Sequence, residues 1–275
     1  MNFRASLVYY SIILLIFSGS CSEYQKLLNG DDTARKYKEA ELYYNSGEYK
    51  KANRLFEQIV PKYRGKPQAE RLMYFFADSY FQLGQYLQAS YRFENFVKSY
   101  PKSQRLEEAN FKSAKSYYHL SPRFSLDQED TFTAIQKLQA IINTFPDSEH
   151  TQEANQMILE LQTKLEKKGF EISKQYYTIR DYKAAVKSLD NFIASFPGTK
   201  FRENALFYKF SALYEIAINS IESKKLERLD ELKGLYGQIL RYYPETVFMD
   251  DLQKKMQNVD SEIQSIKNQN TTLTK

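Results

Sequence analysis

The sequence predicts an all-α chain, an α-solenoid of five helix pairs behind a short amino-terminal signal. Three observations carry this expectation. One apolar pattern with helical spacing recurs five times. Glycine (9) and proline (7) are scarce in 275 residues, which suits helices better than turn-rich sheets. The amino terminus alone holds an apolar run that ends in small residues and the single cysteine.

That run spans Leu7 to Phe17 and is interrupted only by Ser11. It is too short to cross a bilayer, which takes roughly 20 residues, and has the length of a signal-peptide core. Ser18, Gly19 and Ser20 follow, then Cys21. A lone cysteine makes no internal disulfide. The two histidines, His119 and His150, stand in no spaced group with cysteine or carboxylates, so neither a metal site nor a Cys–His nucleophile is expected. Gly19, Ser20 and Cys21 resemble a bacterial lipobox, with Ser18 where leucine is usual. The resemblance implies a diacylglyceryl group on the thiol, cleavage before Cys21 and acylation of the new amine. Several acyl chains on one residue meet the requirement for stable anchoring. The alternative is an ordinary secreted protein with a leftover cysteine. Ser22, rather than aspartate, implies by resemblance to enterobacterial sorting an outer-membrane destination.

Downstream, Ala52, Phe56, Ile59, Val60 and Tyr63 precede Arg64. The same i, i+4, i+7, i+8, i+11 spacing runs from Ala89 to Tyr100, Ala134 to Phe145, Ala185 to Phe196 and Leu232 to Tyr243. Each defines one apolar face of a three-turn helix. Pro101, Pro146, Pro197 and Pro244 then end the last four, because proline lacks an N–H and restricts the residue before it. A partner helix lies upstream of each, marked by a small residue and a tyrosine three later: Ala40 and Tyr43, Ala77 and Tyr80, Ala114 and Tyr117, Ser173 and Tyr176, Ser211 and Tyr214. The small residue lets two helices approach closely. Gly47 and Gly84 punctuate the turn between helices in the first two units. The fourth unit keeps the tyrosine of that turn, Tyr182, without the glycine.

Small residue, Tyr, Gly, Tyr, Ala, Phe and Pro in this order resemble the tetratricopeptide repeat, over about residues 34 to 246. The resemblance implies a right-handed solenoid. The expected organisation is a signal peptide over 1–20 and a lipidated terminus and linker over 21–33. Repeats follow at about 34–65, 66–102, 103–147, 148–198 and 199–246, then a capping helix to 260 and a polar, frayed tail over 261–275. Extra residues fall at 121–128 (SPRFSLDQ) and within 219–231. Ser173 stands 27 residues after Pro146, against 13 from Pro101 to Ala114. The excess of 14 is close to four turns at about 3.6 residues each, so one long helix is expected with Ala154, Ile158, Leu161, Leu165 and Ile172 on its buried face. A hinge at Gly169 is the alternative.

In the tetratricopeptide family the ligand-facing positions flank the small residue of the first helix. Three before it stand Tyr37, Tyr74, Phe111, Phe170 and Tyr208; four after it stand Tyr44, Phe81, Tyr118, Tyr177 and Glu215. One after it stand Glu41, Asp78, Lys115, Lys174 and Ala212. An aromatic groove for an extended apolar peptide is expected, with Tyr37, Tyr44, Tyr74, Phe81, Phe111 and Tyr118 as its candidate residues. The competing expectation is that these rings pack between repeats.

The phrases CSEYQKLLNGDD, FEQIVPKYRGKPQAE, YYHLSPRFSLDQEDTFTAI and SIESKKLERL resemble the BamD family of outer-membrane protein assembly factors, in its Bacteroidetes-type form. That resemblance implies a non-enzymatic lipoprotein on the periplasmic face of the outer membrane. Its carboxy-terminal repeats would dock the periplasmic domains of the barrel-forming subunit, and its amino-terminal repeats would meet unfolded outer-membrane proteins. Other assembly lipoproteins are further partners, and no cofactor beyond the lipid on Cys21 is implied. Another periplasmic repeat lipoprotein, serving envelope or cell-division coordination, would share fold and anchor. A glycan-binding repeat lipoprotein would be longer and carry tryptophan, which this chain lacks. With 39 basic and 34 acidic residues well mixed, nucleic-acid binding is not expected. No phosphate loop, dinucleotide fingerprint or nucleophile elbow stands in the sequence.

Overall fold

The computed structural model describes residues 23–273, so the signal segment and Cys21 lie outside the described residues. A short helix, α1, covers 23–29. Five helix pairs follow: α2 (Thr33–Asn45) with α3 (Tyr49–Ile59), α4 (Ala69–Gln82) with α5 (Tyr86–Ser99), α6 (Leu106–Leu120) with α7 (Glu129–Thr144), α8 (Thr151–Thr178) with α9 (Tyr182–Ser195), and α10 (Arg202–Ile218) with α11 (Glu222–Tyr242). Helix α12 (Met249–Leu273) closes the chain. Among the described residues there is no strand, and no helix is long and apolar enough to cross a membrane.

The chain forms two compact units. One runs through Pro122 and resumes over Asp127–Leu161; the other holds Arg123–Leu126 and everything from Gln162. In both, the marker residues of the first helices are fully buried or nearly so, Ala40, Ala77, Ala114, Ser173 and Ser211 alike, and so are Ala52, Ala89, Ala134 and Ala185 of the second helices. In the first unit Phe56, Phe93, Phe96 and Tyr74 fill the space around these small residues, and Phe111, Leu138, Ile141 and Leu161 continue it. In the second, Phe170, Leu189 and Phe192 make one cluster, and Phe210, Leu229, Leu232, Ile239 and Leu252 another. Each such side chain, fully buried, contributes about 1.5–3 kcal/mol.

Three of the inter-helix turns are built alike. Gly47 (φ 79°), Gly84 (φ 70°) and Arg180 (φ 65°) all take the left-handed conformation, each two residues before a tyrosine. In each turn the next residue's N–H closes on a carbonyl five back: Glu48 on Tyr43 at 2.8 Å, Gln85 on Tyr80 at 2.9 Å, Asp181 on Tyr176 at 2.9 Å. This is a glycine-type helix cap. The fourth unit therefore keeps the turn without the glycine, with Arg180 held where a Cβ is disfavoured.

The second helices end as the prolines require. Tyr100, Phe145, Phe196 and Tyr243 all leave the helical region, with φ between −128° and −135° and ψ between 63° and 70°. The first unit differs. Pro61 falls inside its pattern, and α3 gives way to a 3₁₀ turn over Val60–Tyr63, since proline has no N–H for the α-helical ladder.

Helix α8 is continuous over 28 residues and passes straight through Gly169. A Cβ at Gly169 would stand 3.3 Å from Phe192 Cδ2, so the glycine serves close approach to α9 and is not a hinge. The buried face of α8 differs from the expectation. Ala154, Ile158 and Leu161 are buried, with Met157, but Ile172 is 48% exposed and Leu165 half-buried. After Leu161 the buried positions are Phe170 and Ser173. The change follows the partners: the first turns pack on α6 and α7, and the later ones on α9 and α10.

Two terminal expectations are corrected. Beyond residue 260 the chain stays helical, and Ile263 and Ile266 are buried in the α11–α12 cluster, so their spacing carries the amphipathic face onward. The region expected to be a linker holds α1, whose Leu27 joins the first core. The extra residues at 219–231 lengthen α11, whereas 121–128 form a loop.

The shared turn geometry sets an expected outcome. Arg180→Gly relieves left-handed strain of about 1–2 kcal/mol, less the roughly 0.5–1 kcal/mol entropic cost of glycine, and so stabilises the fold modestly. Gly84→Ala moves stability the other way. Urea midpoints of the two variants against the parent check both signs.

Candidate interaction face of the first helices

Three first helices, α2, α4 and α6, and the start of α8 present successive copies of the same positions in the first unit. The rings four residues after the small residue, Tyr44, Phe81 and Tyr118, are half-buried, and so is Tyr37. Tyr74 and Phe111, three before the small residue, are buried at 1% and 3% exposure and are core residues, which corrects their assignment to an open groove.

The cause is a planar group set over each ring. The Arg105 guanidinium lies 4.5 Å from the Tyr74 ring centre. His150 stacks on Phe111 at 4.2 Å and 4°. In the second unit Phe201 stacks on Phe170 at 5.6 Å and 8°, whereas Phe248 stacks on Phe207, four before Ser211 and next to Tyr208, at 4.0 Å and 9°. Each covering residue stands four after a repeat-ending proline: Pro101, Pro146, Pro197, Pro244.

Two residues after the same prolines stand Ser103, Ser148, Thr199 and Thr246. Their oxygens accept the N–H of Arg105 at 3.0 Å, His150 at 3.0 Å, Phe201 at 3.2 Å and Phe248 at 3.3 Å, fixing the backbone of the covering residue. The first three also donate to a carboxylate on the preceding first helix: Ser103 to Glu70 at 2.6 Å, Ser148 to Glu107, and Thr199 to Glu166 at 2.9 Å. The motif Pro-x-Ser/Thr-x-Arg/His/Phe, in PKSQR, PDSEH, PGTKF and PETVF, was the signal that could have found these residues.

The charged positions one after the small residue are occupied with the next repeat rather than offered along a groove. Glu41 pairs with Arg71 at 2.9 Å, Asp78 with Lys112 at 2.7 Å and Lys115 with Glu153 at 2.7 Å. In the other unit Lys174 lies over Tyr208 at 5.2 Å. The rings join these rungs. Tyr44 donates to Asp78 at 2.5 Å, Tyr118 to Glu160 at 2.5 Å and Tyr37 to Glu41 at 2.8 Å. The Glu160 carboxylate, then burial, push the Tyr118 hydroxyl up to about 12. Burial, then Glu41, do the same for Tyr37, also to about 12.

Asp78 is the centre of this ladder, with a side chain 2% exposed. It accepts from Tyr44, Lys112 and Gln82. Lys112 also reaches Glu108 at 3.0 Å and the Tyr74 hydroxyl at 3.1 Å. Burial pulls the Lys112 ammonium down, but Asp78 and Glu108 outweigh it and hold it above the ordinary lysine value. Burial alone would raise Glu108; Tyr74 and Lys112 overcome it and hold the carboxyl low. Stability from Glu108 is thus present above the ordinary carboxylate value and lost in acid, and that from Lys112 is lost only in strong alkali. Both groups stay charged through the neutral range.

Among the described residues no group of His, Cys, Asp and Glu is placed to hold a metal. The model of the YfiO outer membrane lipoprotein family matches residues 30–229. The chain belongs to this family. It is an outer-membrane lipoprotein family of non-enzymatic assembly factors, also called the BamD family, and membership implies a role and partners in the β-barrel assembly complex. The solved structures it is similar to are repeat proteins. A thermophilic TPR protein of Thermus thermophilus is 17% identical with a TM-score of 0.33, covering 82% of this chain and 98% of its own. Nearly identical TPR-like repeats of kinesin light chain type from Podosopora anserina are 17% identical at a TM-score of 0.33, covering 78% and 100%. No curated protein is significantly similar to the chain.

The Asp78 cluster sets a second expected outcome. Lys112→Met leaves a buried carboxylate unpaired and costs about 3 kcal/mol. Adding Asp78→Asn restores part of that loss, because the charge goes with its partner. A double-mutant cycle by urea unfolding measures the coupling.

Proposed function

We propose that the protein is a lipid-anchored, non-enzymatic subunit of the β-barrel assembly machinery, held on the periplasmic face of the outer membrane through Cys21. The observation that carries this is the family match over residues 30–229. In this reading the carboxy-terminal repeats dock the periplasmic domains of the barrel-forming subunit. The first helices of the amino-terminal repeats receive the carboxy-terminal strand of unfolded outer-membrane proteins. The half-buried rings of Tyr37, Tyr44, Phe81 and Tyr118 support that role, giving apolar area with little side-chain entropy to lose.

Affinity purification from detergent-solubilised outer membrane is expected to recover a large barrel protein with repeated periplasmic domains; its absence overturns the assembly role. A photo-crosslinking residue at Tyr37 or Tyr118 is expected to capture a peptide ending in a barrel protein's last strand. The same residue at Val247, 84% exposed in the other unit, is expected not to. Equal capture at all three removes the receiving face. Cys21→Ala is expected to move the protein from the membrane fraction to the soluble periplasmic fraction, and unchanged fractionation removes the lipid anchor.

A further inference from the structure

The turn end of the first two repeats carries a cationic and apolar surface outside the rings of the first-helix face. Lys50 and Arg54, on α3, are exposed and make no ion pair among the described residues. Lys51 beside them is paired with Glu48. In the next repeat the positions matching Lys50 and Arg54, counted from Ala52 and Ala89, hold Leu87 and Tyr91, 62% and 58% exposed. In the third repeat the position matching Lys50 and Leu87 holds Phe132, 55% exposed. Large apolar side chains are thus repeated at positions where a solvated helix face has no use for them.

Helix α1 ties the tether to this surface. Tyr24 donates to the Lys51 carbonyl at 3.1 Å and meets the Tyr43 ring edge-on at 5.5 Å. It lines one cavity of about 470 Å³ together with Tyr49, Lys50, Arg54 and Leu83. Cys21 stands three residues before Tyr24 in the sequence, and three residues of chain span at most roughly 11 Å of backbone, so the tether leaves the fold close to this surface. Tyr24 shares a cavity with Lys50 and Arg54, so a tether that short keeps headgroups near these cations, whose attraction is screened over a Debye length of about 8–10 Å.

We propose that this surface, Lys50 and Arg54 with Leu87 and Tyr91, is a second membrane contact that lies on anionic phospholipid and orients the repeats on the bilayer. The cations take the phosphate headgroups. Leucine and the amphipathic tyrosine enter the headgroup boundary, where such side chains are favoured. The surface is too weak to anchor alone and acts with the tether as the second signal. The inference rests on the lipid attachment at Cys21 for its geometry, but the contact itself is independent of it.

The test uses residues 22–275, which contain every described element and no lipid. Flotation with phosphatidylglycerol-containing vesicles is expected to recover the protein, weakly with phosphatidylcholine vesicles, and less as salt rises. Lys50→Gln with Arg54→Gln is expected to weaken recovery by roughly tenfold or more, at about fivefold per charge. Leu87→Ser with Tyr91→Ser, both exposed and so without a folding cost, is expected to weaken it at constant charge. No binding to anionic vesicles, or equal binding of parent and both variants, overturns the proposal. So does unchanged vesicle binding with lost recovery of the barrel subunit, which makes the surface a protein interface. Cys21→Ala fractionation reports on the tether alone, so the two readings fail separately.

Discussion

The close approach of two helices at a small residue is the constraint on which the rest of this structure depends. Ala40, Ala77, Ala114, Ser173 and Ser211 are all buried where their helix meets its partner. A side chain of ordinary size there would push the helices apart and open gaps beneath Phe56, Phe93, Leu138, Leu189 and Leu232, each fully buried. With the pair closed, the residues three before and four after the small one are fixed on the same side of the first helix. One choice of residue size therefore decides where the core ends and where a partner could begin.

The two flanking positions then diverge for a reason outside the helix that carries them. After each repeat-ending proline the chain makes a turn whose hydroxyl residue orients a planar side chain four positions on. In three repeats that group closes over the ring three before the small residue; in the last, Phe248 closes over Phe207, four before Ser211. Tyr74 and Phe111 become core through Arg105 and His150, while Tyr44, Phe81 and Tyr118 take no ring from these turns, Tyr44 being stacked on Phe75 of the next first helix, and stay half-buried. The carboxylates of Glu70, Glu107 and Glu166 bind the same hydroxyls, so the cover is locked to the previous repeat as well. Thr246 has the hydroxyl, but seven before Ser211 the chain carries Asn204 instead of glutamate. That repeat has the cover without this lock.

Much of the fold was legible because it is periodic. The apolar spacing, the terminating prolines and the small residues place every helix pair, and the turn at Tyr182 could be anticipated even without its glycine. What could not be read came from interactions with no fixed offset. Asp78 finds Lys112, two before its small residue, but Glu41 finds Arg71, six before. The residues four after a proline look like surface loop until their rings are seen to stack. Ile172 misled because its spacing continues the pattern of Ala154 and Leu161 although the helix has changed partners. Ile263 and Ile266 were masked by the polar residues around them, since two apolar residues in a polar stretch give little periodicity to count.

The charge ladder limits what kind of ligand the first-helix face would accept in the proposed receiving role. A groove with free acidic and basic positions would select its ligand by charge. Here Glu41, Asp78 and Lys115 are already satisfied by the neighbouring repeat, and an incoming charge would have to displace an existing pair. Breaking the buried Asp78 pair costs more than an exposed ligand charge can return. What remains accessible is ring surface and hydroxyl edges, which read apolar side chains and backbone without regard to sequence detail. A face of that kind suits many segments that share alternating apolar residues and differ in everything else, and it disfavours a single charged partner.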